Sequence, residues 1–308
     1  EQSEPSLYII DQNLRNLCPN ANIVSILGST TNKKLVRHIF SNYDIDLVFH
    51  SAAYKHVPLV ELNPLVGLYN NVISTRTICE AALATGVRQV VLISSDKAVR
   101  PTNVMGASKR LSELVVQAYA HLDSSTLFSM VRFGNVLDSS GSVVPLFRRQ
   151  IADGGPITLT HPDIIRYFMT IPEAAQLVLQ ATEMAIGGDV FLLDMGEPIR
   201  IKDLAEQMVI LSGLTIRDSL HPQGEIEIKC TGLRPGEKLF EELLIDADSL
   251  ETKHPRIFRA CEQSIVPDQL FPSIDILESY LSEHDLFNSL SLLSDLVPEW
   301  QPRVLLTP

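Results

Sequence analysis

Short apolar runs alternate with amphipathic stretches along the first half of this chain, and that alternation limits its fold more than any other feature. Residues 3–17 read as a helix, with Ser3 or Ser6 able to cap it and Leu7, Ile10, Leu14 and Leu17 on one face. A short strand is expected over 22–27, then the polar turn Gly28-Ser29-Thr30-Thr31, then a helix over 33–42 with Leu35, Val36 and Ile39 as its apolar side. Residues 46–50 read as a strand, 51–58 as a loop, 71–84 as a helix ended by Gly86, and 87–93 as another strand. A helix over 103–122 leads to a strand over 127–133. Strands this continuously apolar are buried on both faces, which predicts an α/β fold with a doubly wound parallel sheet.

Ligands of such sheets lie beyond the carboxyl ends of the strands, so the loops 28–31, 51–61 and 94–105 are expected to converge. The third carries the densest chemistry. Directly after Val90-Val91-Leu92-Ile93 comes S-S-D-K-A-V-R-P-T-N-V-M-G-A-S-K-R, residues 94–110. It places Met105 and Lys109 one helical turn apart, on one face. Alone, Met105 reads as core packing and Lys109 as a solvated lysine; behind Ser-Ser-Asp-Lys the pair marks a site.

Past residue 133 the pattern loosens. Gly, Ser and Asn crowd 134–142, helices are expected over 143–153, 171–184, 201–211 and 238–245, and strands over 157–160, 189–194 and 225–229. The expected division is a sheet domain over 1–150 and a smaller α/β lobe over 151–262, with 189–194 able to return to the main sheet. A helical tail over 263–308 would begin with a helix at 267–282.

Composition removes several classes of function. With 308 residues and 45% hydrophobic content, the chain can bury a large core. A net charge of -12 without any Lys/Arg block excludes a nucleic-acid backbone as partner. Cys18, Cys79, Cys230 and Cys261 form no C-x-x-C pair, so no disulfide framework and no metal site are expected, and a reduced, cytoplasmic setting fits. No apolar run reaches the roughly 20 residues that cross a bilayer. No G-x-G-x-x-G occurs, although dinucleotide folds use one to bring backbone against the pyrophosphate. The helical start at Ser3 therefore predicts that a first strand and glycine-rich loop lie outside these residues; the alternative is a fold that takes no dinucleotide.

Residues 94–110, joined with S-A-A-Y-K-H-V-P-L-V-E (51–61), resemble the extended short-chain dehydrogenase/reductase superfamily. More narrowly they resemble its bacterial UDP-N-acetylglucosamine 4,6-dehydratases of the membrane-anchored type. V-R-F-G-N-V-L (131–137), S-G-S-V-V-P-L-F (140–147), I-T-L-T-H-P-D-I-I-R-Y-F-M-T-I-P-E-A (157–174) and R-P-G-E-K-L-F-E-E-L (234–243) extend the match. The resemblance implies a Rossmann-like sheet, NAD or NADP as cofactor, a UDP-sugar as substrate and a homo-oligomer. It also implies a longer parent chain, anchored at the cytoplasmic face of the inner membrane by a segment outside these residues.

The resemblance assigns roles by position. Asp96 would be the acid that protonates the C6 oxygen, Lys97 the base for the C5 proton, and Ser95 a hydrogen-bond donor to the C4 oxygen. Lys97 must then be neutral, which burial beside another cation would favour. Met105 stands where the superfamily has its tyrosine, and Lys109 would bind the nicotinamide ribose. Glu1, Gly28, Ser29, Thr30, Ala52, Ala53 and Lys55 match cofactor positions. His56, Glu61, Asn135, Arg166, Arg234, Glu237 and Lys238 match substrate positions, with Arg166 and Arg234 expected on the diphosphate. The competing expectations are a UDP-sugar 4-epimerase, which normally needs the tyrosine, and a fragment without catalytic competence.

Overall fold

The computed structural model describes residues 1–302 except 123, 235 and 242–248. In chain order the elements begin with α1 (Glu4–Leu17), α2 (Lys33–Asn42), β1 (Leu47–His50), α3 (Val57–Leu62) and α4 (Pro64–Leu68). A π-helical turn, Tyr69–Ile73, runs into α5 (Ser74–Thr85), followed by β2 (Gln89–Ile93), a 3-10 turn (Asp96–Ala98), α6 (Val104–Ala120) and β3 (Leu127–Arg132). The middle of the chain holds β4 (Asn135–Val136), α7 (Val143–Ala152), β5 (Ile157–Leu159), β6 (Ile165–Met169), α8 (Ile171–Glu183), β7 (Asp189–Leu193) and β8 (Pro198–Arg200). It continues with α9 (Ile201–Leu211), β9 (Ile216–Arg217), β10 (Ile226–Cys230), β11 (Leu250–Glu251) and β12 (Ile257–Ala260), and ends with α10 (Pro267–Ser282) and α11 (Leu286–Leu296).

The main sheet has the order β1-β2-β3-β7-β12-β11. The first four strands are parallel, and β12 and β11 close the far edge antiparallel. Both faces of the central strands are buried, as their continuous apolar sequence requires. Val90 and Leu92 of β2 join a core with α5, α6 and α10, whereas Val91 joins Val131, Phe191 and the Leu177 and Ala181 face of α8. Residues 189–194 thus return to the main sheet. A third core, Phe147, Ile157, Ile201, Val209 and Ile226 among its members, holds α7 and α9 against β5 and β10.

Several expectations are corrected. No strand forms over 22–27. Among the described residues Arg15 donates to the Ile23 carbonyl at 3.3 Å and Glu1 N to the Ile26 carbonyl at 3.3 Å, neither of them part of a strand, and a strand cannot persist without a ladder partner. The loop expected over 51–58 ends in α3, because Pro58 in the first turn of a helix removes a donor that has no acceptor there anyway. The described part of the helix expected over 238–245 is not helical: the Lys238 and Leu239 carbonyls accept from Arg166 at 2.8 and 3.2 Å and lay the segment along β6. The remainder of that expected helix lies outside the described residues.

Beyond the expected α10, a further helix, α11, is capped by Asp285, which accepts from Asn288 N at 3.0 Å. Leu270, Ile274, Leu277, Leu293 and Trp300 of this tail complete the same core as Leu111 and Val115. Consequently α6 is buried from Val104 to Tyr119. No helix among the described residues is long and apolar enough to cross a membrane.

Candidate active site

The loop after β2 is held at the carboxyl end of the sheet by its own backbone. Ser94 N donates to the Val131 carbonyl at 2.8 Å and Asp96 N to the Phe133 carbonyl at 3.1 Å, which continues the β2–β3 ladder into the turn. Ser95 caps that turn by accepting from Lys97 N at 3.2 Å. The start of α6 then packs directly on it. A Cβ at position 106 would lie 2.3 Å from the Lys97 carbonyl oxygen, so only the bare backbone of Gly106 permits the approach.

Two side chains meet on one carboxylate. Asp96 is 3% exposed, and its Oδ1 accepts from Ser95 Oγ at 2.9 Å and from Lys97 Nζ at 2.9 Å. Lys97 also pairs with Glu241 at 3.3 Å, and Glu241 pairs in turn with Arg166 Nε at 3.1 Å. Burial disfavours the Lys97 ammonium, yet Asp96 and Glu241 together outweigh burial and the repulsion of Arg166, so its pKa stands above that of an ordinary lysine. The cation expected beside Lys97 is present, but in the ligand-free site two carboxylates outweigh it.

Met105 is buried in the core, as its side chain dictates, with nothing to donate or accept a proton. One turn later Lys109 donates to the Ile93 carbonyl at 2.7 Å. Burial pushes its pKa down to about 8, against the pull of Glu113. Asn71, in the π-helical turn, binds both the Tyr54 amide (2.7 Å) and carbonyl (3.1 Å) and donates to Ser108 at 2.9 Å. It therefore fixes the 51–56 loop against α6. Beneath the turn, Glu113 is fully buried and accepts from Ser94 Oγ at 2.6 Å and from Arg132 at 2.8 and 2.6 Å. Arg110 and Glu262 complete that network.

A cavity of about 270 Å³ opens over Lys97. The expected substrate positions His56, Asn135, Arg234, Glu237 and Lys238 line it, together with Lys55, an expected cofactor position. Arg166 lines it too, but its guanidinium is spent on the Ile165, Lys238 and Leu239 carbonyls and on Glu241. It clamps the 237–241 segment and offers no free fork to a diphosphate. Lys238 is likewise tied, donating to the Val99 and Arg100 carbonyls at 3.2 and 3.0 Å. Burial lowers the pKa of Lys55, and burial together with Lys55 lowers that of His56. Glu61 does not line the cavity: its carboxylate accepts from Val104 N at 2.5 Å and caps α6.

Two further hollows follow this cavity in a row. One of about 460 Å³ shares Lys55 and His56 with it and includes Ala53; the next, about 760 Å³, shares Tyr54, Asn63 and Val66 with that one and includes Gln2, Ser29, Thr31 and Asn70. Ser29 and Thr31 face this row; Thr30 and Ala52 line none of the three hollows. Glu1 lies beside the Gly28 turn with its carboxylate on Ser3 N at 2.8 Å. Gly28 admits the Leu35 side chain, which a Cβ would meet at 2.1 Å, so its role here is packing against α2. On the lobe side, a hollow of about 230 Å³ shares Asn135, Arg166, Arg234 and Glu237 with the cavity and is lined by Val143, Leu146, Phe147 and Phe168.

Sequence reasoning missed Glu241, Asn71, Glu113 and Gly106 as members of this assembly. The R-P-G-E-K-L-F-E-E-L motif contained Glu241, and M-G-A-S-K contained Gly106, but neither spacing reveals contacts that span the fold.

A parallel sheet with an Asp-Lys turn at the carboxyl end of β2 and a Met-x-x-x-Lys pair on the next helix defines a Rossmann-like fold of the short-chain dehydrogenase/reductase type. The family model described as polysaccharide biosynthesis protein matches residues 1–262, and the chain belongs to that family. It is 48% identical over 242 residues to the capsular polysaccharide biosynthesis protein CapD of Staphylococcus aureus, an alignment that covers 78% of this chain and 39% of that protein. The chain thus spans about two fifths of that relative's length. A UDP-glucose 4-epimerase of Rickettsia canadensis is 34% identical over 239 residues, covering 77% of this chain and 66% of the relative. Among solved structures, Pen from Bacillus thuringiensis aligns with a TM-score of 0.74 at 32% identity, covering 89% of this chain and 87% of that one. DesIV, a dTDP-glucose 4,6-dehydratase from Streptomyces venezuelae solved with NAD bound, shares the fold with a TM-score of 0.65 at 20% identity, over 76% of this chain and 74% of its own.

Proposed function

We propose that this protein is an NAD-dependent 4,6-dehydratase acting on UDP-N-acetylglucosamine. The observation that carries the reading is the Asp96–Lys97 pair, joined at 2.9 Å with Lys97 lining a cavity, next to a helix whose tyrosine position holds a buried Met105. Such a pair supplies an acid and a base to one elimination. NAD, held along the row of hollows, would supply the hydride acceptor for sugar C4 and the hydride donor for C6.

The protein's own residues do the rest. Ser95 Oγ, already directed at the cluster, orients the C4 oxygen, whose hydroxyl proton leaves to solvent water as the hydride departs. Lys97, as the free amine, takes the C5 proton and gives it back to C5 when the hydride returns to C6. Asp96, as the neutral acid, gives its proton to the departing C6 oxygen, which leaves as water. The ammonium–carboxylate pair of the resting site reaches that acid-and-amine state by moving one proton along the 2.9 Å bond from Nζ to Oδ1.

The row of hollows supports the ligand arrangement. Gln2, Ser29, Thr31 and Asn70 facing Leu62 and Leu281 make the mixed polar and apolar lining that an adenosine needs. Arg234 lines both the cavity and the lobe hollow, which supports a role on a diphosphate lying between sugar and nucleoside. The apolar lobe hollow would take the uracil.

The second reading, a UDP-sugar 4-epimerase, is favoured by the Rickettsia relative. Proton NMR of the protein incubated with NAD and UDP-N-acetylglucosamine separates the two. A 4-keto-6-deoxy sugar is expected; a 4-epimer without any ketone would refute the dehydratase.

A further inference from the structure

The contact between Glu241 and Lys97 joins residues 144 positions apart, and none of the proposed steps uses it. Glu241 stands between two cations, with its Oε1 3.3 Å from Lys97 Nζ and 3.1 Å from Arg166 Nε. Its side chain is 5% exposed, so the interaction is little screened by solvent. Arg166 cannot release it by turning away, because that guanidinium is pinned by the Ile165, Lys238 and Leu239 carbonyls. Glu241 is therefore a fixed carboxylate aimed at the amine that the elimination needs free.

We propose that Glu241 is a positioning residue that decides where the proton of the Lys97–Asp96 pair resides. With Glu241 in contact, the pair stays ammonium and carboxylate. When the contact is lost, the proton crosses from Lys97 Nζ to Asp96 Oδ1, which leaves the amine and the neutral acid of the proposed reaction. This role deepens the dehydratase reading and rests on it. A ligand entering the cavity must then also displace Glu241 from Lys97.

The charged and titratable groups around Lys97 are few enough to test this. Asp96 lies on its own turn, and Glu241 and Arg166 reach it from the 237–241 segment and β6. Lys55, His56, Arg234, Glu237 and Lys238 line the same cavity. Of these, Asp96 and Glu241 hold the proton on Lys97, while burial and Arg166 oppose it.

The test needs no substrate, so it stays readable even if the protein dehydrates nothing. Lysine carrying ¹³C at Cε is titrated by NMR in the ligand-free protein, and the Lys97 signal is assigned by its loss in Lys97→Arg. The midpoint of Lys97 is expected to fall in Glu241→Gln. In Glu241→Asp, whose shorter carboxylate draws back from Nζ, it is expected to fall partway. A midpoint that does not fall in either variant would overturn the proposal, and the Asp variant decides it if the Gln variant does not fold.

Discussion

Two charge networks lie on either side of the same loop, and each alternates acid and base. Below it, Ser94, Glu113, Arg132, Arg110 and Glu262 interlock, with Glu113 fully buried, Arg132 2% exposed and Glu262 alone reaching solvent at its edge. Above it, Asp96, Lys97, Glu241 and Arg166 interlock in a similar way, but Lys97 keeps 24% of its side chain exposed and faces a cavity. The chemistry of the two is nearly alike; what differs is that Lys97, Glu241 and Arg166 line a cavity into which a ligand can come. A sealed network can only hold the loop in place, because removing one member strands the opposite charge in a low dielectric. A network open on one side can trade a protein carboxylate for a ligand and move a proton as it does so.

The sealed network should break hardest. Glu113→Ala leaves Arg132 buried without its bidentate partner and is expected to cost about 3–5 kcal/mol in denaturant unfolding. The same residue sets a pH dependence. Burial raises the Glu113 carboxyl pKa, but Arg132, Arg110 and Ser94 more than reverse this and hold it at about 2, below the ordinary 4.5. The unfolded chain therefore takes up that proton first, so the stabilisation is complete above pH 4.5 and is lost as pH falls toward 2. Stability measured across that window should be flatter in Glu113→Gln.

The seam between the two networks gives a smaller effect. Gly106→Ala drives a methyl into the Lys97 carbonyl and is expected to cost about 1–3 kcal/mol while displacing the Asp96–Ala98 turn. Thermal unfolding checks the first effect, and the Asp96 amide shift checks the second. The smallest change is expected at Met105→Leu, a near-isosteric swap in the core that should cost less than about 1.5 kcal/mol and leave turnover in place.

The sequence made the scaffold legible wherever short-range pattern decides it. The helix spans 33–42, 201–211 and 267–282 follow directly from periodicity and caps. Pattern failed where a partner decides. The run 22–27 has strand composition but no ladder, and 238–241 has helix composition but is pulled flat by Arg166. The Leu-rich stretch of α11 carried too little polar contrast to show its period, although Asp285 was there to cap it. At the site, Asp96, Lys97, Met105 and Lys109 stand together in one motif and were readable. Glu241 became visible only once β6 brought Arg166 beside the sheet.

Whether the open network is the reactive one turns on Lys97. The most direct measurement is the rate of 4-keto-6-deoxy sugar formation by Lys97→Ala, followed by NMR alongside UDP affinity by calorimetry. A loss of about 10²–10⁴-fold in turnover is expected, with UDP affinity unchanged. A Lys97→Ala protein that forms the ketone at the parental rate would contradict a reactive Lys97.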